Sequence, residues 1–523
     1  MDYQSFELRR SGLIMRKYIV SLIVFICVFS ALSVSVWASP GDMGFFGGIT
    51  EGVPLPKAIE EILAGNAAAS ATAPISSSYS EIIFIGGRPA EFTGQISIRK
   101  GGAVNDADSG QYRVTYDIFP GNATDANAIL DRNIVFDVQW YRIRELEQVI
   151  KSFSVAGWSE VIVVDGQTFV LDPALSFFDV SVLEDHTAGV MYYKGNTSYR
   201  AVYFSGGLST TIEGNSQFWG YKTAWSHAET HRISEQVLND EWQMAYEVRP
   251  SVSAFKTLQY SRNEPQLISF PGNYQEVLTT ESGLAYNIYH LPNQFYGTPL
   301  YGTANLDSIN VFDNLPYVDT SMYAADWAHQ DIARLYALSV LDQPVPMFVP
   351  SSLITRSQFV TMLVKALKIP IEPPQPSSNR RRDSERIVFP DITRERPDYA
   401  YIMAAWDSGL VVGKGGGQFC PDDYVTIEEA VHMVVTALGL LRLGIEPTNM
   451  TPFSDDADIS PWAKQALYAG RRIGLITPQL DGTINPGLEM TKAAGAAIIN
   501  RLIDYMRTEL LIDYTEHIVH FAW

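Results

Sequence analysis

Only two cysteines occur in these 523 residues, Cys27 and Cys420. Cys27 lies in an N-terminal apolar run, so a chain that has lost that run cannot form an internal disulfide and must be stabilised by packing. Apolar runs long enough to cross a bilayer are equally scarce: one extends from Tyr18 to Val36, and no second of that length follows. Basic residues are also few. The 38 Lys and Arg stand against 58 Asp and Glu, a formal net charge of -20, which argues against nucleic acid as a partner. The sequence contains no Gly-x-Ser-x-Gly elbow and no phosphate-cradling glycine loop, so no catalytic residue and no cofactor is assigned. His227 and His231 stand four apart, as in a helical metal site. Glu229, however, follows the first His by two positions rather than one, and no metal site is assigned. Carboxylates are plentiful, and a glycosidase pair need meet only in space, so a polysaccharide-acting or peptide-acting enzyme stays open as the alternative.

Arg16 and Lys17 precede the apolar run, which finishes Ser-Val-Trp-Ala38 before Ser39 and Pro40. These are the three parts of a secretory signal over 1–38, with either Met1 or Met15 as its start; an uncleaved anchor is the other reading. The first 38 residues hold two acids and four bases, so their removal takes the net charge from -20 to -22. The exported chain is expected to be extracellular, with no membrane contact after cleavage. Residues 39–79 are rich in Gly, Ala, Ser and Pro, with one short amphipathic stretch from Lys57 to Leu63, and read as a flexible spacer. From 80 to 310, alternating or aliphatic segments such as Tyr112–Phe119, Ile134–Tyr141 and Tyr199–Phe204 recur with Gly, Asn and Asp between them. That pattern predicts a mainly antiparallel β-sandwich or barrel-like region. Within it only Arg142–Phe153 reads as a helix.

The last 210 residues repeat one pattern three times, over 315–369, 387–440 and 451–506. Pro350, Pro421 and Pro486 each lie five residues before Thr355, Thr426 and Thr491. Apolar residues follow each threonine on one helical face: Phe359, Met362, Leu363 and Ala366; Ala430, Met433, Val434 and Ala437; Gly495, Ile498, Ile499 and Leu502. Upstream, Ser339, Gly409 and Gly474 mark the end of an earlier helix. Each copy is thus helix, loop, helix, too small to close a core alone, so three must pack together.

Each threonine is a candidate N-cap, and Gln358 and Glu429 complete capping boxes, whereas Ala494 does not. After the cap come Arg356 and Lys492, cations where the helix dipole disfavours them by about 0.3–1 kcal/mol. A cation beside free helical N–H groups suits a carboxylate or phosphate, so both read as ligand contacts, whereas Ile427 in the second copy cannot bind an anion. Arg380, Arg381, Arg382 and Arg386 follow a Pro-rich stretch and read as a solvated linker.

The aromatic-x-Asp starts, the Trp-Ala pairs and the Thr-Arg motif resemble tandem S-layer homology domains. The resemblance implies a pseudo-threefold helical prism that binds an anionic, often pyruvylated, secondary cell-wall polysaccharide without a covalent bond. It carries over to Thr355 and Arg356 with Asp319 and Trp327 in the first copy, and to Thr491 and Lys492 with Asp455 and Trp462 in the third. The second copy departs, with Pro397 in place of Trp and Ile427 in place of Arg. One good groove, one weaker groove and one structural copy are therefore expected. The implied setting is the cell wall or surface layer, with self-association in such a layer as a further partner and the β-rich region facing outward. The stretch 507–523 reads as a helix or strand packed back on the last copy.

Overall fold

A computed structural model describes residues 45–50, 74–106, 108–121, 128–261, 273–290, 301–371, 388–441 and 450–514. The secretory signal, the Lys57–Leu63 stretch, the arginine-rich linker and the last nine residues lie outside them.

The N-terminal region is β-structure. Its strands are β1 (Ile49–Thr50), β2 (Ile75–Ile83), β3 (Ala90–Asn105), β4 (Ser109–Phe119), β5 (Ala128–Ile143), β6 (Gln148–Val164) and β7 (Gln167–Leu171). They continue with β8 (Phe177–His186), β9 (Val190–Ser205), β10 (Leu208–Thr223), β11 (Ser226–Asn239), β12 (Gln243–Ser261), β13 (Asn273–His290) and β14 (Tyr301–Asn314). All pair antiparallel in one sheet, mostly with their sequence neighbours; β7 and β8 both bridge β6 and β9. Alternating burial along β5, β6 and β9 puts every second side chain into the interior, as the period of two demands. The sheet curls until its ends meet: Phe84, just past β2, stacks on Tyr246 of β12 at 3.8 Å between ring centroids. Ile49 shares a core with Val237, Met244 and Leu284.

Two sequence expectations change here. Arg142–Phe153 is no helix: β5 runs to Ile143, Arg144–Leu146 form a single tight turn, and Glu147 takes the left-handed conformation (φ 51°) that starts β6. Val149, Lys151 and Phe153 are buried in alternation with exposed Ser152 and Ser154, so the two-residue period prevails. The spacer is partly sheet, since Phe45 and Phe46 are buried among Tyr116, Phe153, Phe178 and Phe218, and Ile49–Thr50 pair with Tyr79 and Ser80. His227 and His231 lie on β11, where four residues span about 13 Å, too far for one ion to bridge. Glu229 accepts a hydrogen bond from the Tyr193 hydroxyl at 2.7 Å and meets His231 Nε2 at 2.7 Å, a buried polar network.

The C-terminal region is helical, with α1 (His329–Ala337), α2 (Arg356–Ala366), α3 (Tyr399–Asp407), α4 (Ile427–Ala437), α5 (Lys464–Arg472), α6 (Lys492–Asp504) and, after a π-turn, α7 (Leu510–Asp513). Ser339, Gly409 and Gly474 all take positive φ just past the first helix of each copy and reverse the chain. The second helix of each copy packs on the first helix of the next: α2 on α3, α4 on α5, and α6 back on α1. The loops before the caps close a matching ring. Ile354 N–H donates to Met490 O (3.0 Å), Met490 N–H to Val425 O (2.8 Å), and Val425 N–H to Ile354 O (3.1 Å). Around it, Ser357, Glu428 and Ala493 N–H donate to Pro421, Pro486 and Pro350 carbonyls, each at 3.0 Å. No copy satisfies its own backbone, which is why the pattern comes in threes.

The β-region docks on the C-terminal ends of the three second helices, where carbonyls lack intrahelical partners. Trp225 Nε1 donates to Ala366 O (2.8 Å), Thr187 Oγ1 and Gly189 N–H to Ala437 O (both 2.8 Å), and Tyr192 hydroxyl to Leu438 O (2.9 Å). Ser226 Oγ donates to Met506 O. Tyr192, Tyr221 and Trp225 share one core with the helices, and Tyr514 stacks on Tyr192 at 5.7 Å. The described part of the last stretch, 507–514, therefore packs on the sheet as well as on the last copy. Among the described residues no helix is long and apolar enough to cross a membrane.

Candidate ligand-binding grooves

Thr355, Thr426 and Thr491 each accept a hydrogen bond from the N–H three residues on, and Gln358 and Glu429 complete reciprocal boxes. These threonines start the helices whose outer faces wall the grooves. A groove of about 460 Å³ opens between the first and second copies. Gln358, Thr361 and Lys365 line one wall, at helical spacing along α2, and Arg396, Pro397 and Tyr401 line the other. Thr355 lies at its end beside Lys492, which comes from the third copy.

Most of this charge is already committed. Lys365 Nζ lies 2.6 Å from Asp342, and Arg396 grips Asp398 and Asp422 with Nη2–oxygen distances of 3.0 and 3.1 Å. Those hydrogen bonds lift the Arg396 guanidinium above its ordinary range. Among the described residues no carboxylate pairs with Lys492, which is half-buried beside the groove.

Arg356 does not share the groove of its own cap. It is 6 % exposed, reaches the second copy, donates from Nη2 to Val412 O at 3.0 Å, and lies over the Phe419 ring at 5.2 Å. Burial pulls its pKa down, the more distant Glu429 (3.9 Å) opposing. Its Nε is buried without a partner, as is Nδ1 of His432. His432 meets the ring of Trp462 edge-on at 5.2 Å, and Glu429, His432 and Thr436 repeat on α4 the positions of Gln358, Thr361 and Lys365. The ring of loops thus carries each of these two post-cap residues onto another copy: Lys492 to a groove that its own copy does not wall, and Arg356 to Val412 and Phe419 of the second copy.

The remaining sequence candidates divide. Trp327 and Trp462 are 69 % and 49 % exposed at the starts of α1 and α5, so their rings are open to a ligand rather than filling the core. The aspartates are not brought into the groove. Asp455 accepts hydrogen bonds from Ile484 N–H (3.1 Å) and Asn485 N–H (2.7 Å), and Asp391 from Phe419 N–H (2.9 Å) and Cys420 N–H (2.6 Å). Both brace a residue at positive φ ahead of proline, Asn485 (φ 53°) and Cys420 (φ 57°). The first copy has Val349 there, whose β-branch disfavours that conformation, and Asp319 instead bonds to the neighbouring Ser321, whose N–H donates to it at 3.0 Å. Sequence reasoning missed Lys365, Arg396 and Tyr401. The spacing of Lys365, ten past Thr355 on the face of Gln358 and Thr361, was the available signal.

The S-layer homology domain model of known families matches residues 316–360 and 388–431. The chain carries S-layer homology domains. The third copy of the pattern shares their cap, their ring of backbone hydrogen bonds and their cross-copy helix packing. Similar proteins include an endoglucanase of Bacillus sp. (strain KSM-635), 26 % identical over 192 residues, covering 36 % of this chain and 19 % of that one. The exoglucanase XynX of Acetivibrio thermocellus is 26 % identical over 181 residues, covering 34 % and 16 %. The surface-layer 125 kDa protein of Lysinibacillus sphaericus is 24 % identical over 172 residues, covering 32 % and 13 %. The chain spans less than a fifth of the length of these relatives, and the aligned lengths are close to that of the three-copy segment.

Proposed function

We propose that the protein is exported and held non-covalently on cell-wall polysaccharide by its S-layer homology domains, which form a pseudo-threefold helical prism. The observation that carries the reading is Lys492: a cation that, among the described residues, has no carboxylate partner, beside a 460 Å³ groove whose other cations are paired. It sits at the N-terminus of α6, where it and the helix dipole both favour an acidic group such as a pyruvyl ketal. Arg356 with Trp462 serves the second groove. Ile427 leaves the third without a post-cap cation and makes it the structural one. Two grooves on one rigid body add avidity, so modest affinity at each suffices for retention. With a net charge of -20, attraction to an acidic polymer must come from such local pockets. The β-region then faces outward, in a structural or binding role within a surface layer.

The test uses the full chain and purified cell wall. Lys492→Ala is expected to weaken co-sedimentation about ten-fold or more, the worth of one charge-assisted contact. Ile427→Ala leaves it unchanged, and mild acid removal of ketals from the wall abolishes the difference. Equal retention of both variants refutes the assignment. A second reading, a wall-anchored enzyme, is favoured by the two glucanases among the relatives. Release of reducing sugar from wall or plant polysaccharide by the full chain would establish it.

A further inference from the structure

The β-region carries a trough on its outer surface, with a volume of about 620 Å³, that runs across the strands from β8 to β13. Cross-strand register builds it. Arg200, Glu213 and Gln236 stand opposite one another on β9, β10 and β11 and form one wall. Ser198, Asn215 and Ser234, two residues along each strand, form the other. All six are exposed, and between them the backbones of Tyr199, Gly214 and Glu235 make the floor, the side chains of Tyr199 and Glu235 turning to the interior. Gly214 carries no Cβ, and the Tyr199 ring lies where one would project on the interior side.

Aromatic rings stand at both ends. Phe177 of β8 pairs with Arg200 and is 45 % exposed; Tyr289 of β13 is 61 % exposed at the irregularity opposite Ala245 and Tyr246. Five strand-to-strand steps separate them, about 24 Å at ~4.8 Å each. Neither ring has a core to fill on this face.

We infer that this trough binds an extended, uncharged oligosaccharide chain of several sugar units. Its walls offer hydroxyl, amide, guanidinium and carboxylate groups, the mixed donors and acceptors that sugar hydroxyls need. Its one cation and one anion, Arg200 and Glu213, lie 3.6 Å apart and cancel, so nothing in it selects a charged ligand. The end rings present flat apolar faces to sugar rings. A peptide strand would align with a sheet edge to pair its backbone, whereas this trough crosses β9 to β12, whose backbones are already paired on both sides. The site is separate from the S-layer homology grooves and adds a second glycan contact to the molecule.

The test is affinity electrophoresis of the full chain in native gels containing hydroxyethyl cellulose, xylan, soluble starch or the neutral glycan fraction of cell wall. Retardation by at least one is expected. Phe177→Ala with Tyr289→Ala raises the dissociation constant about ten-fold. Gln236→Ala weakens binding less, and Lys492→Ala leaves it unchanged. Retardation by wall glycan alone identifies the cell's own envelope as the source; retardation by the plant polysaccharides alone identifies an external one. Both outer rings are solvent-exposed, and an unchanged near-ultraviolet circular dichroism spectrum confirms the fold of the double variant. Should that variant unfold, Gln236→Ala becomes the deciding comparison. The inference is overturned if none of the four glycans retards the protein, or if Gln236→Ala and any folded double variant migrate as the parent does. Because the trough variants leave Lys492 untouched, their co-sedimentation with acidic wall polymer reads the anchoring proposal independently.

Discussion

Lys492 and Arg356 occupy one motif position and meet different environments, because the cap ring sends one to a half-open groove and buries the other over Phe419. The two entry aspartates differ in the same way. Asp455→Ala removes a carboxylate that holds two N–H groups of the loop before α6, and a loss of about 1.5–3 kcal/mol in urea unfolding is expected. Asp319→Ala stays within about 0.5 kcal/mol, since Asp319 is exposed and bonds to the neighbouring, exposed Ser321. Inside the sheet, Arg132 bridges Glu81 and Glu160 at 2.8 Å each, beside a cavity of about 50 Å³ that Glu235 also lines. Burial pushes Glu235 up to about 7, from an ordinary 4.5. The folded state therefore holds a proton that the unfolded chain releases between pH 4.5 and 7, and the contribution of Glu235 to stability falls across that window and is flat above it. Glu235→Gln should flatten the urea midpoint between pH 5 and 7 relative to the parent. Parallel curves for the two proteins would contradict this placement.

At the scale of elements, the helix caps were readable from residues three apart, and the start of α2, α4 and α6 follows the threonines as expected. The strands were harder. The segment Tyr199–Phe204 is the second half of one long strand, β9, because Gly195 and Asn196, which look like turn residues, lie mid-strand: a Cβ at 195 would strike Phe218. Arg142–Phe153 misled because its charged residues fall at helical spacing, and only the tertiary partners of Val149 and Phe153 decide for a strand. The loops of the sheet that cap helix ends were invisible to any local pattern. Trp225→Ala tests them: it removes a fully buried ring and leaves Ala366 O unpartnered, with an expected cost of about 3–5 kcal/mol. Thermal unfolding followed by helical circular dichroism should show the helices melting earlier, although the substitution lies in the β-region.

For the whole molecule, the repeat showed which residues are equivalent but not which are neighbours. Equivalence predicts three like sites; the ring of loops between copies decides that the groove between the first and second copies takes its post-cap cation, Lys492, from the third. That is why Lys492, read as the weaker contact, faces the open groove, and why Arg396 was overlooked. Tyr192 and Trp225 share one core with the helices and Ser226 bonds to Met506 O, so sheet and helices are one body and the proposed wall binding is tested on the intact chain. The most direct test is co-sedimentation of the full-length protein with purified cell wall, comparing the parent with Lys492→Ala. The account predicts that the parent sediments, is released by denaturant without covalent cleavage, and loses about ten-fold in affinity on substitution. A parent that stays in the supernatant, or a variant that binds as the parent does, would contradict it.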